Sequence, residues 1–253
     1  TAGSANAQSR NSLTIGVTLE PPHLDPTAGA AAAIDETVYA NVFEGLTRID
    51  QNGAIQPQLA ESWTVSDDEL VYTFKLKRHV TFHDGTSFEA SDVVFSFDRA
   101  RSKDSVNAQK ALFAAIKTVE AIDPETVRVT LSRPEGSFLF NLGWGDAVIV
   151  APESAATNKT NPVGTGPFKF LRWVKGDRVE LVAVSPDAPI QRATFRFMSD
   201  PSAQVAALKA GDIDAATNLN APEAVLAFQA DRNFEVAIGT TEGETILSIN
   251  NTR

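Results

Sequence analysis

The sequence predicts a mixed α/β fold made of two subdomains. Residues 46–184 contain many short strand patterns and few helices, whereas residues 193–250 alternate strand and helix. The clearest strand is 70–77, where apolar and polar side chains alternate with the period of two that marks a half-buried strand. The clearest helix begins at Ser91-Asp92, a capping pair followed by apolar residues at helical spacing.

We predict the other elements of the first 160 residues from the same two patterns, alternation for strands and helical spacing of apolar residues for helices. A buried strand over 13–17 precedes an extended segment that contains three prolines, because each proline disfavours helix in the residue before it. The other predicted strands are 46–49, 62–65, 118–122, 126–131 and 148–150, and the other predicted helices are 34–43, 108–115 and 152–156, with a short helix or turn over 137–142.

In the remaining sequence, Lys175-Gly176-Asp177 predicts a hairpin between strands 168–174 and 178–184. A helix over 201–210 has proline in its first turn and ends at Gly211, which is the favoured order of these two residues. The remaining predictions are a helix over 222–229 and strands over 193–198, 213–217, 234–238 and 246–249.

The shift in pattern sets the domain boundaries. We assign residues 13–45 and 185–250 to one α/β subdomain and residues 46–184 to a β-rich subdomain. Residues 1–12 are small, polar and aperiodic, and we predict that they form a tail. Ala5-Asn6-Ala7 in this tail is either the end of a signal peptide or an ordinary alanine-rich segment.

Composition excludes several classes of function. The 253 residues carry a formal net charge of −10, which argues against a nucleic-acid partner and against attachment to an anionic membrane surface. The chain has no cysteine and therefore no disulfide, thiolate nucleophile or cysteine-bound zinc. No run of apolar residues reaches the length of a membrane span.

No pattern of residues points to catalysis. His79 and His83 are four residues apart, but they fall at a strand end and in a turn rather than on one helix, so we favour a structural role over a metal site. Asp67-Asp68-Glu69 and Asp84 lie in hydrophilic turns, where solvated carboxylates are the norm. The Gly-x-Ser-x-Gly motif of serine hydrolases does not occur.

One long segment resembles a known family. Between residues 60 and 96 the chain reads Ala-Glu-Ser-Trp, Tyr-Thr-Phe-Lys-Leu, Val-Thr-Phe-His-Asp-Gly and Phe-Glu-Ala-Ser-Asp-Val-Val-Phe-Ser. The order and spacing are similar to those of the bacterial extracellular solute-binding proteins, family 5, which serve peptide and nickel ABC importers. Four further matches occur in the same order, at Leu24-Asp25-Pro26, Phe43-Glu44-Gly45-Leu46, Gly164-Thr165-Gly166-Pro167-Phe168 and Gly211-Asp212-Ile213-Asp214.

This resemblance implies a periplasmic binding protein-like fold of type II, a clam-shell of two lobes. The chain looks like the first lobe alone, with residues 46–184 as the β-rich subdomain inserted into it. The resemblance further implies a monomeric, exported protein of the periplasm of a Gram-negative bacterium. Such a protein binds a peptide-like or other small polar solute, delivers it to the permease subunits of an ABC importer, and has no enzyme activity and no cofactor.

The sequence departs from the family pattern in two places. Relatives are about twice as long, so the chain resembles a first lobe, a fragment or a natural truncation. Relatives also carry an Asn-Pro-x-Tyr-Trp-like loop where this chain has the shorter segment 185–191.

The resemblance implies ligand contacts at six positions. For each of them an ordinary structural role remains an alternative: a small-residue helix start for Ala30 and Ala32, an exposed helical glutamine for Gln109, a core anchor for Trp144 and a helix cap for Asn218 and Asn220. We predict these six residues as the ligand-binding set: Ala30, Ala32, Gln109, Trp144, Asn218 and Asn220.

Two other classes of function stay open at the level of sequence. One is a hydrolase acting on peptides or glycans, which would need nucleophile and base residues that the sequence does not display. The other is a sensor or interaction module that keeps the fold without transport.

Overall fold

A computed structural model describes residues 11–29 and 31–239. The strands are β1 Ser12–Val17, β2 Thr47–Ile49, β3 Ile55–Pro57, β4 Ala60–Val65, β5 Val71–Leu76, β6 Ile116–Asp123, β7 Thr126–Leu131, β8 Phe168–Val174, β9 Arg178–Ala183, β10 Arg192–Phe197 and β11 Ala215–Ala216. The α-helices are α1 Ala32–Val38, α2 Ala90–Arg101, α3 Phe138–Asn141, α4 Pro201–Ala210 and α5 Pro222–Ala230. Short 3-10 helices cover Pro26–Ala28, Lys110–Phe113 and Gly145–Ala147. None of the helices in the described ranges is long and apolar enough to cross a membrane.

The first sheet has five strands in the order β11-β1-β10-β9-β8. Its three strands β11, β1 and β10 are parallel, and β9 and β8 extend the sheet as an antiparallel hairpin. Gly176 forms the tip of that hairpin with φ +75°, a value that glycine adopts without strain. The carboxyl ends of three parallel strands therefore meet at one edge, where ligands bind in many α/β proteins.

The second sheet is antiparallel, with the order β4-β5-β7-β6. Helix α2 packs against it, and the alternation in β5 buries Tyr72, Phe74 and Leu76. The ring of Tyr72 meets that of Phe138 edge to face at a centroid distance of 4.8 Å, a geometry that favours aromatic pairs. β2 and β3 form a separate two-stranded antiparallel sheet.

The two sheets have separate apolar cores. One core lies within residues 46–151, and the other draws on the N-terminal segment and on β9 and β10. The segment 148–150 contributes to both, because Ile149 belongs to the first core and Val148 and Val150 belong to the second. The two cores therefore meet along this segment.

The division into an α/β subdomain and an inserted β-rich subdomain stays a prediction, but its predicted boundary at 184 does not match the sheet pairing. β9 pairs with β10 from Arg178↔Arg196 to Val182↔Arg192, and β8 pairs with β9. The 168–183 hairpin thus belongs to the first sheet, whereas the prediction assigned it to the β-rich subdomain. Strand patterns alone carry no information about which sheet a hairpin joins.

Several predicted elements are wrong. The predicted helix 108–115 is a 3-10 helix of four residues, and 152–156 forms turns. The predicted strand 148–150 pairs with no strand among the described residues, because Ile149 N donates to Glu44 O and Val150 N donates to the Ser96 hydroxyl. Residues 234–238 form no strand, and the predicted strand 246–249 lies outside the described residues.

The helix ends show why other predictions hold. α4 begins at Pro201 after Asp200, whose carboxylate accepts the Ala203 N–H at 2.9 Å, and it ends at Gly211 with φ +76°. α2 begins one residue earlier than predicted, and its capping box joins Glu89 to Asp92 rather than using the Ser91-Asp92 pair. α1 ends at Val38, five residues earlier than predicted, since Ala40 has φ +58° and leaves the helical region.

Candidate functional site

The Leu24-Asp25-Pro26 motif is tied to α2 by an ion pair whose carboxylate is buried. Asp25 is 1% exposed, and its carboxylate caps the 3-10 helix by accepting the Thr27 N–H at 2.9 Å. Arg99 of α2 lies 3.4 Å from the same carboxylate and donates to the Thr27 hydroxyl. The Leu24-Asp25-Pro26 motif and helix α2, which begins within the long matched segment, are therefore in direct contact although they are far apart in sequence.

The Gly164-Thr165-Gly166 turn packs on the segment after α1. A Cβ on Gly164 would lie 2.8 Å from the carbonyl carbon of Val42, and one on Gly166 would lie 2.8 Å from that of Asn41. These neighbours are backbone atoms and cannot yield, so both positions require glycine. The turn is thus a packing element rather than a phosphate loop.

His83 connects this turn to the segment between β5 and α2. Its Nε2 donates to Gly166 O at 2.9 Å, and its Nδ1 accepts the Gly164 N–H at 3.4 Å. Burial lowers the pKa of this imidazole, which keeps it in the neutral form that both bonds need. The predicted structural role of His83 agrees with this geometry.

Glu44 is the second link between the motifs. The Thr165 hydroxyl donates to its carboxylate at 2.9 Å, while Gln58 Oε1 accepts the N–H of Gly45. Burial raises the pKa of the Glu44 carboxyl, and hydrogen bonds from Thr165 and Gln58 partly offset that rise. The matched motifs therefore contact one another directly within the fold.

The elements that carry the predicted site residues converge on α1. Thr217, which follows β11, donates its hydroxyl proton to Glu36 of α1. Asp35 lies against the Gly145 backbone, because a Cβ added to Gly145 would lie 2.6 Å from the carboxyl carbon of Asp35. The Tyr39 hydroxyl, just after α1, donates to Gly143 O. Three segments thus surround this short helix: the turn after β11, the loop around residue 144 and the extended segment before α1.

The 102–113 segment joins the same group through Asn107. Its Nδ2 donates to the backbone oxygen of Asp146 at 2.8 Å, and its Oδ1 accepts the Gln109 N–H at 2.9 Å. Asn107 is 5% exposed, so these bonds are shielded from water. They place the loop that carries Gln109 beside the loop that carries Trp144.

The structure places five of the six predicted residues, and their contact with a ligand stays a prediction. Ala32 is the exposed first residue of α1, and Gln109 is half-buried. Trp144 is 42% exposed and meets Phe140 edge to face. Asn218 and Asn220 are exposed after β11, and Asn218 has φ +51°. Ala30 lies outside the described residues.

Two carboxyl groups that the sequence did not single out lie among these loops. Asp146 is 7% exposed, and its Oδ1 accepts no hydrogen bond in the part of the chain that the structure describes. Burial, with the nearby charge of Asp35, raises the pKa of Asp146 to about 6, and burial alone raises that of Asp35 to about 6. A Gly-Trp-Gly-Asp loop gives no signal that its carboxylate is buried.

A cavity adjoins Asp146 between α2 and the 102–107 loop. Its volume is about 90 Å³, and its polar lining comprises Thr27, Ser96, Arg99, Ser102, Asp104, Ser105, Asn107 and Asp146. Phe97, Phe113 and Val148 supply apolar walls. The cavity reaches the surface near the loop predicted as the rim of the binding site, since Asp104 and Val106 are exposed.

Among the other candidate acids, the pKa of Asp68 is shifted in the direction opposite to the one that catalysis at neutral pH needs. The Asp68 carboxylate accepts the hydroxyl proton of Ser66, and this bond holds its pKa below the ordinary value. A proton-transferring acid at neutral pH needs the opposite shift. No group of three or more metal-binding side chains occurs within residues 11–29 and 31–239.

The fold defines the class of this protein. Its structural neighbours are type II periplasmic binding proteins. The sequence profile of the bacterial extracellular solute-binding proteins, family 5, matches residues 54–253. The chain belongs to this family.

The sequence is also similar to individual binding proteins. It is 31% identical over 241 residues to the glutathione-binding protein GsiB of Escherichia coli strain K12, a match that covers 91% of this chain and 46% of that protein. It is 33% identical over 198 residues to GsiB of Pectobacterium atrosepticum, covering 75% of this chain and 38% of the relative. The chain spans about half the length of these relatives.

Solved structures show the same relation. NikZ from Campylobacter jejuni in complex with Ni(L-His) matches with a TM-score of 0.77 at 34% identity, covering 88% of this chain and 46% of NikZ. The periplasmic binding protein DppA from Helicobacter pylori in complex with peptide STSA matches with a TM-score of 0.79 at 29% identity, covering 91% of this chain and 51% of DppA.

Proposed function

We propose that this protein is the solute-binding component of an ABC importer. It captures a peptide-like or other small polar solute outside the cytoplasmic membrane, as a monomer, and delivers it to the permease. The observation that carries the proposal is the meeting of three segments: the loop bearing Trp144 and the turn bearing Asn218 converge on α1, and the loop bearing Gln109 lies beside the Trp144 loop. Membership of the solute-binding family supports it.

The surface has the groups that such a solute needs. Trp144 exposes an apolar face for stacking, and Asn218 and Asn220 offer amides that both donate and accept hydrogen bonds. Relatives are named for glutathione binding or are seen with a peptide or a nickel–histidine complex, all of them small and polar. A second lobe closing over this surface would bury the solute, and a permease that binds the closed form better would sense it.

Calorimetry tests this proposal directly. A protein in which this chain is part of a sequence as long as those of its relatives is titrated with glutathione, a tetrapeptide and the nickel–histidine complex. At least one of them is expected to bind. Trp144→Ala is expected to weaken that binding by about tenfold or more, because truncating an aromatic anchor of a binding site costs about one to several kcal/mol.

Leu171→Ala is the matched control. Leu171 is a large apolar residue on the edge strand β8 and is exposed to the same degree, 44% against 42% for Trp144. Its replacement is expected to leave affinity unchanged. Equal loss of affinity in the two variants would contradict the placement of the site, and binding of no member of an extended solute panel would contradict the function.

A further inference from the structure

We propose that one face of the five-stranded sheet is a docking surface for an acidic segment of another protein. This contact is separate from solute capture. Four arginines of β8, β9 and β10 share the face, which we call the arginine face: Arg172, Arg178, Arg192 and Arg196. Three features of the face carry the proposal: a buried glutamate that orders three of the arginines, a positive charge that stays uncompensated, and a position away from α1.

The pairing of the strands places the four arginines on one side of the sheet. Arg196 of β10 lies directly opposite Arg178 of β9, and Arg172 of β8 lies directly opposite Glu180 of β9. Arg178 and Glu180 are two residues apart, and Arg192 and Arg196 are four residues apart. Because side chains alternate along a strand, all of them point to the same face.

Glu180 holds three of these arginines in place. It is 4% exposed, and its Oε1 accepts hydrogen bonds from Arg172 at 2.7 Å and from Arg178 at 2.6 Å. Its Oε2 accepts one from Arg192 at 3.1 Å. A guanidinium has five N–H groups, so Arg172 and Arg192, with side chains 56% and 51% exposed, keep donors that face solvent. Since these side chains are already ordered, a partner would bind them at a smaller cost in entropy.

The charge of the arginine face stays positive. β8, β9, β10 and the turn between β8 and β9 contain six basic and two acidic residues, although acidic residues outnumber basic ones by 32 to 22 in the whole chain. The two acids, Asp177 and Glu180, are already paired with arginine. Arg196 forms no ion pair with any described residue and lies opposite Arg178, and like charges in this arrangement cost stability. An anion on the face would reduce that repulsion.

An acidic protein segment fits this face better than a membrane does. Guanidinium groups bind carboxylates through paired N–H donors, and Glu180 is already bound by the same arginines. The net charge of −10 repels an anionic membrane as a whole, whereas a short segment meets only the local charge. From Arg192 to Arg196 the strand advances about 13 Å, which is two repeats of an extended segment with carboxylates at alternate positions.

The sheet separates the arginine face from the candidate solute site. Val179 and Leu181 alternate with the charged residues of β9 and lie in a core that also contains Ile34 of α1. α1 therefore packs on the other side of the sheet. The acidic partner and the solute thus bind on different sides of it.

NMR titration of the ¹⁵N-labelled 253-residue chain with hexaglutamate tests the docking surface, and hexaglutamine is the neutral comparison. We expect saturable shifts of the side-chain N–H groups of Arg172, Arg178 and Arg192 with hexaglutamate alone. The dissociation constant should rise about fivefold or more between about 0.05 M and 0.3 M sodium chloride, because salt screens exposed charges. Replacing two exposed guanidinium groups, Arg172→Gln with Arg192→Gln, should weaken binding about fivefold or more.

Arg196→Glu keeps the test independent of the buried glutamate, because Arg196 does not bond to Glu180. It is expected to weaken hexaglutamate binding about tenfold, since it places a like charge on the face. Arg128→Glu is the matched control: Arg128 is exposed on β7 of the other sheet, and the net charge changes equally. This control should weaken binding less than about twofold.

Three results would overturn the inference. The first is the absence of saturable shifts with hexaglutamate in the unaltered protein. The second is an equal loss in Arg196→Glu and Arg128→Glu, which would mean attraction to the overall charge. The third is co-sedimentation with phosphatidylglycerol vesicles without a response to hexaglutamate, which would mean a lipid surface. Solute binding is measured separately by calorimetry, so either proposal can fail alone.

Discussion

The buried carboxyl of Asp146 makes the folding stability of this protein depend on pH. Its pKa of about 6 lies above the ordinary value of 3.8, so the folded chain holds a proton that the unfolded chain has already released. Stability from this group is therefore full below about pH 4 and is lost as the pH rises through 6.

The first prediction concerns this residue. Asp146→Asn is expected to raise the free energy of unfolding by about 2 kcal/mol at pH 7.5, because the amide stays neutral where the carboxylate must ionise. Urea unfolding at pH 4 and at pH 7.5 measures it, and the two proteins should differ little at pH 4. A variant that is less stable at pH 7.5 would contradict the assigned shift.

The second prediction concerns the Arg99–Asp25 pair. Arg99→Met is expected to destabilise the protein by about 3 kcal/mol, since it leaves a carboxylate that is 1% exposed without its cation. Arg78→Met is the control, because Arg78 and Glu125 form an ion pair with side chains 70% and 46% exposed. That control should cost less than about 1 kcal/mol. If urea unfolding showed equal losses of unfolding free energy for Arg99→Met and Arg78→Met, the Arg99–Asp25 pair would stabilise the protein no more than an exposed ion pair does.

Single residues also mark where sequence reasoning stops. Trp144 could be proposed from its position between two glycines, and the structure finds it exposed. The raised pKa values of Asp35 and Asp146 could not be predicted from the sequence, because the pKa of a carboxyl depends on burial by residues distant in sequence. Nor does the sequence reveal that Arg99 reaches Asp25.

At the scale of elements, the sequence predicted a helix or strand correctly where residues of that same element determine its ends or its buried face. α4 was predicted with its bounds because its proline and its glycine cap set both ends. β5 was predicted because its alternation buries one face. The 148–150 segment failed because an apolar run is equally typical of a strand and of a chain that passes between two cores.

The third prediction tests the Gly164-Thr165-Gly166 turn. Gly164→Ala is expected to cost about 3 kcal/mol or to prevent folding, since the new Cβ would overlap the Val42 backbone. Gly136→Ala is the control, because a Cβ there meets nothing within 4 Å and the site needs no positive φ. The control should change stability by less than about 0.5 kcal/mol. Thermal unfolding separates the two, and a fully stable Gly164→Ala variant would contradict the packing.

For the whole molecule, the matched motifs and the proposed site have different roles. Asp25, Glu44, His83 and Gly164 hold the two cores together, and their contacts are internal. Of the residues predicted to meet the solute, the five that the structure describes are exposed or half-buried, and they lie at the start of α1 or on loops. The family could be predicted from the first group, whereas the proposed solute specificity depends on the second.

Native mass spectrometry tests the central claim, solute capture, most directly. The protein, extended to the length of its relatives, is purified without denaturation and weighed before and after unfolding. The account predicts one small-molecule adduct per chain, released on unfolding, and a lower occupancy in Trp144→Ala than in Leu171→Ala. A chain that carries no adduct, and gains none when incubated with glutathione, a tetrapeptide, the nickel–histidine complex and an extended panel of small polar solutes, would contradict it.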